Sequence, residues 1–118
     1  MLTVKERLSQ GHMVGILADR SVNNELGIER EFLGSSASFP LAPFRLPRLF
    51  ASPICFIAGI YEGSNRYRIF FRDLNPKNAL LSPESILAPY AETLEELCLT
   101  NPYNWFNFYD FWECNGAV

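Results

Sequence analysis

The chain has few of the residues that most often mark catalytic or metal chemistry. It holds a single histidine, His12, and three cysteines, Cys55, Cys98 and Cys114, none of them in a C-x-x-C pair. That spacing excludes a zinc finger or ribbon and a disulfide framework, so the thiols read as reduced. Cys55 and Cys98 lie in apolar runs and read as small core residues. Basic residues are scarce too: 10 Lys and Arg against 13 Asp and Glu, with no basic run, give a net charge of −3, and no nucleic-acid partner is expected. The longest apolar runs, MVGILA and PICFIAGIY, fall well short of the ~20 residues a membrane-spanning helix needs. Residues 1–10 are amphipathic and charged, unlike a signal peptide. No G-x-S-x-G, phosphate-binding glycine loop or metal-ligand cluster occurs, so neither a metal nor a cofactor is expected.

What is present suits one globular domain, or a piece of one, spanning 1–118. The sequence is 48% hydrophobic and 19% charged, outside the range of disordered chains. Its aromatic residues crowd toward the C-terminus, where residues 101–112 read NPYNWFNFYDFW.

Periodicity gives an order of elements. Val4 and Leu8 share a helical face within residues 3–10, and Gly11 suits a C-cap. The unbroken apolar run 13–18 reads as a strand covered on both faces, as in a parallel sheet. Residues 20–38 read as a long polar loop. Three prolines, Pro40, Pro43 and Pro47, predict a short or bent helix over 39–51, with Pro43 in its first turn and Pro47 kinking or stopping it. Residues 53–61 read as a second buried strand, EGSN at 62–65 as a hairpin turn, and 66–72 as a half-buried strand. In that last strand Tyr67, Ile69 and Phe71 face one way and Arg66, Arg68 and Arg72 the other; the arginine side is a basic patch or simply the wet side of the sheet. Ser82-Pro83-Glu84 starts a helix that runs to about Thr100 with Leu87, Tyr90, Leu94 and Leu97 on one face. Pro89 kinks that helix or marks its true first turn. The expectation is an α/β layered fold with a small mixed sheet of about three strands and flanking helices.

Few residues stand out for chemistry. Asp19 and Arg20 follow the 13–18 run, at the strand end that faces the ligand crevice in open α/β sheets. A carboxylate beside a guanidinium there suits substrate orientation or phosphate binding, although a surface ion pair is the commoner explanation. Gly34 permits a tight loop and is more often just a turn residue. Arg45 and Arg48 share a helical face that would suit an anionic group, though such charges are usually solvated. His12 has no orienting carboxylate at a known spacing and reads as structural.

The strand ending in Asp19-Arg20, then EFLGSSASFPLAPFRL, then PICFIAGIY, and finally LEELCLTNPYNWFNFYDFW resemble, in order and spacing, the C-terminal half of the lysophospholipid acyltransferase superfamily. The most similar branch is the bacterial lipid A biosynthesis lauroyl/myristoyl acyltransferases. The resemblance runs through about residues 10–112 and rests on a strand with an acidic end, a glycine-containing loop, a small-residue-Pro helix start and a closing Pro-x-x-Trp segment. It implies transfer of an acyl chain from acyl carrier protein or acyl-CoA to a lipid or glycolipid hydroxyl, by a membrane-associated enzyme, peripheral at the cytoplasmic face of a bacterial inner membrane or cytoplasmic. Substrate-binding roles carry over to Asp19, Arg20, Gly34 and, more weakly, Arg45. The family's catalytic histidine, followed five residues later by an acid, has no counterpart: Leu17 stands five after His12. No catalytic residue is therefore assigned, and the chain is expected to be a fragment, inactive alone and prone to self-association. The alternative is a non-enzymatic module that binds lipid or acyl carrier protein.

The aromatic segment has two explanations. Trp105, Phe108 and Trp112 lie three and four apart and suit a short helix folded over the sheet. Tryptophan and tyrosine also suit contact with the bilayer surface.

Overall fold

A computed structural model of the chain describes residues 2–19, 26–75 and 82–104. Within them the order is α1 (Leu2–Ser9), β1 (Gly27–Phe32), β2 (Ser35–Pro40), α2 (Ala42–Phe50), β3 (Cys55–Gly63), β4 (Arg66–Asp73), α3 (Pro83–Thr100) and a single 3₁₀ turn, Pro102–Asn104. The α/β class holds, but the sheet differs from the expected one. Among the described residues the strands form two separate antiparallel hairpins, β1–β2 and β3–β4.

Two sequence expectations are corrected here. Residues 12–18 are not a strand; they run without regular structure, with Met13 and Leu17 almost wholly exposed. A covered strand needs backbone partners on both sides, and each of the described strands takes its hairpin neighbour, which costs little loop entropy. The predicted loop 20–38 in turn holds β1 and the start of β2. Their connection, Leu33-Gly34, is a two-residue turn with both φ angles positive (52° and 89°), the geometry that matches hairpin twist.

α3 organises the fold. Ser82 caps it: its Oγ accepts the Ser85 N–H at 3.2 Å, and Pro83 follows in the first turn, where a missing N–H costs nothing. Pro89 lies inside the helix and does not end it. On one side α3 packs Ile86, Leu87, Ala91 and Cys98 against Phe32, Ala37 and Phe39 of the first hairpin and Phe44 of α2. Further along, Leu97 joins Phe56 and Ile60 of the second hairpin and Leu74. Tyr90 and Leu94 touch both clusters. Burying each large apolar side chain contributes about 1.5–3 kcal/mol, against at most about 1 kcal/mol for a surface ion pair, so these two clusters hold the molecule together.

α2 begins with Pro43 in its first turn and continues past the buried Pro47 to Phe50; Ala51 closes it in the left-handed conformation at φ 48°. The carbonyl that Pro47 cannot engage belongs to Pro43, in the opening turn, so little of the ladder is lost.

The β3–β4 hairpin presents its faces in an unexpected sense. Phe56, Ala58 and Ile60 pair with Arg72, Phe70 and Arg68, and this is the side that meets α3. Arg72 lies over the Phe70 ring at 5.1 Å and donates to Glu96 Oε2 (2.8 Å) and Thr93 Oγ1 (3.3 Å) on α3. Tyr67, Ile69 and Phe71 point to solvent instead. Cys55 shares their outward side and is exposed, contrary to its reading as core; Cys98 is buried as expected.

Candidate functional site

The residues singled out in the sequence meet α3 at different heights. Ala18 packs on the cluster between α3 and the first hairpin, which brings Asp19 in from the exposed segment before it to a half-buried position. Arg20 lies outside the described residues. Gly34 sits on the β1–β2 turn, exposed, and its φ of +89° makes it a turn glycine. The neighbouring Leu33 N–H donates to Glu95 Oε1 at 3.0 Å, which fastens this turn to α3. Arg45 is exposed on α2, next to the buried Phe44. Among the described residues no hydrogen bond or ion pair joins Arg45 to Asp19. His12 is exposed, and its N–H donates to Arg7 O at 2.9 Å in the turn that ends α1.

Tyr90 is the residue the sequence reading missed. Its ring stands edge-on to Phe44 (5.3 Å between centroids) and Phe39 (6.2 Å) and tilted against Phe56 (5.4 Å). Burial, and behind it the charge of Asp19, holds its phenol well above the usual tyrosine range. Tyr90 is therefore a neutral donor at physiological pH, its ring packed by three phenylalanines. The 3–4 spacing of Leu87, Tyr90 and Leu94 marks Tyr90 as inward-facing; that the charge of Asp19 bears on it is a tertiary fact with no local signal.

The turn of Gly34 is tied at Glu95, five residues beyond Tyr90 and so roughly 7.5 Å further along the helix axis. Phe44 packs on the Tyr90 ring, and its neighbour Arg45 is exposed on the same helix. Among the described residues no group of three His, Cys, Asp or Glu side chains is arranged to hold a metal ion, and no helix is long and apolar enough to cross a membrane. Comparison of the chain with protein-family models, with curated proteins and with solved structures finds no match in any of the three.

Proposed function

We propose that the chain is the acceptor-side portion of an acyltransferase of the lysophospholipid acyltransferase type, acting as a peripheral protein at the cytoplasmic face of a bacterial inner membrane. The observation that carries this reading is the placement of Asp19. An apolar segment ends on the core through Ala18 and leaves Asp19 half-buried, its charge bearing on the partly buried Tyr90 phenol. Support also comes from the sequence order of the apolar run ending in Asp19, the glycine turn, the proline-led helix and the Pro-x-x-Trp segment, and from the exposed Met13 and Leu17, apolar residues suited to a sheet larger than two hairpins. In this reading Asp19 and Tyr90 orient the acceptor hydroxyl and Arg45 lies toward its anionic part. A histidine–acid pair encoded upstream removes the hydroxyl proton. The acceptor oxygen then bonds to the thioester carbon of acyl carrier protein or acyl-CoA, the C–S bond breaks, and the proton passes to the departing thiolate.

The test is transfer of a labelled acyl chain to a lipid or glycolipid hydroxyl by the protein expressed from the reading frame extended upstream. Asp19→Ala is expected to lower kcat/KM by about 10- to 100-fold, the loss of one or two well-placed hydrogen bonds, with the circular dichroism spectrum unchanged. An upstream sequence without a histidine and an acid five residues apart, or full transfer by Asp19→Ala, rules the reading out. The second reading, a module that binds lipid or acyl carrier protein without turnover, draws on the open apolar side of β3–β4; flotation with anionic vesicles and binding of acyl carrier protein by the chain alone would favour it.

A further inference from the structure

The outward side of the β3–β4 hairpin is apolar over its three central cross-strand pairs; the pair at one end, Cys55 with Asp73, carries a carboxylate. The three central pairs are Ile57 with Phe71, Gly59 with Ile69 and Tyr61 with Tyr67. Ile57 is 59% exposed, Tyr61 41%, Tyr67 68%, Ile69 55% and Phe71 63%. No charged side chain belongs to these three pairs, so covering them buries no ion. In the middle of the surface Gly59 leaves a notch. A Cβ placed there would meet only Ile69 Cδ1, at 3.9 Å.

We propose that this surface is the interface of a symmetric dimer of the chain, closed by packing Ile69 of each copy into the Gly59 notch of the other. The match of knob and hole comes from symmetry. A two-fold axis between the copies, running along the strands, lays β4 of one copy over β3 of its partner. Ile69 then stands over the partner subunit's Gly59, Phe71 over the partner subunit's Ile57, and Tyr67 over the partner subunit's Tyr61. The alternative two-fold axis, across the strands, would set Ile69 on Ile69 and leave the two glycines facing a void, which close-packed sheet faces do not tolerate. The five side chains expose roughly 100 Å² each, so the pair of copies would bury about 1,000 Å², the lower bound for a specific interface. An isologous contact of this kind ends at two copies, because each hairpin has only one such face. Neither Asp19, Gly34 nor Arg45 lies on it, so the dimer stands or falls independently of the acyl-transfer reading.

Light scattering and sedimentation velocity at tens of micromolar test this directly. The wild-type protein should run at twice the chain mass of 13.5 kDa. Ile69→Lys, which places a charge in the interface, should weaken association at least about 100-fold. Gly59→Val fills the notch from a strand position that accommodates its side chain, and should weaken association about 10-fold or more while the fold survives. Leu49→Lys, which removes an exposed apolar residue of α2 instead, should leave the dimer unchanged. A wild-type monomer, whether free or covering this face with lipid or with another part of its own chain, overturns the proposal. So do open-ended oligomers, a dimer indifferent to Gly59→Val, or equal sensitivity to Leu49→Lys.

Discussion

Cys98 and Cys55 differ only in what surrounds them. Cys98 is buried on α3, and burial, followed by the nearby Glu95, pushes its thiol up to about 11 from 9.0. A thiol that is harder to ionise in the folded state than in the unfolded one adds stability that is whole below about pH 9 and is lost as pH rises toward 11. Tyr90 acts in the same sense at still higher pH, since its phenol too is raised by burial and by Asp19. The urea midpoint is therefore expected to fall across that alkaline window, and Cys98→Ala to flatten the fall. A maleimide should label the exposed Cys55 in the native protein and Cys98 only on unfolding. The sequence placed both cysteines in the core because both sit in apolar runs. That is sound for Cys98, one side of which faces a hairpin. It fails for Cys55 because a strand sends alternate side chains to opposite faces, and only one face of β3 is covered.

Elements were legible where their chemistry is local. The start of α3 could be read from Ser82-Pro83-Glu84 because a cap needs only its own first turn. Ser82→Ala should cost about 1 kcal/mol, measured by thermal or urea unfolding, through loss of the Ser85 N–H acceptor. The β3–β4 hairpin was equally readable from its turn, where Ser64 and Asn65 take positive φ. The β1–β2 hairpin was not. Arg30 occupies an inward position between Ile28 and Phe32 and breaks the apolar alternation; one end of its guanidinium meets Glu92 of α3 at 3.4 Å. The covered side of β4 was hidden for the same reason. Thr93 and Glu96 of α3 receive Arg72, so the arginine side packs inward and the more apolar side stays open.

At the scale of the molecule, the sequence could not say that one helix serves two hairpins, because the long-range partners of α3 lie up to about 60 residues away (Leu33 and Glu95 are 62 apart). Residues 105–118, which hold most of the aromatic segment, lie outside the described residues, and so do the expectations for Trp105, Phe108 and Trp112. The described arrangement makes a prediction about cooperativity. Ile86 belongs to the cluster with the first hairpin, Leu97 to the cluster with the second, and Tyr90 packs against both. Truncating a buried Ile or Leu to Ala removes about 2–5 kcal/mol from the contacts it makes. If the two clusters open as separate units, Ile86→Ala should speed native-state hydrogen exchange in β1 and β2 more than in β3 and β4, and Leu97→Ala should do the reverse. Tyr90→Ala should speed both, since its ring is the wedge between Phe39, Phe44 and Phe56. Uniform acceleration by all three variants would mean that the clusters unfold as one, and that Tyr90 has no special place between them.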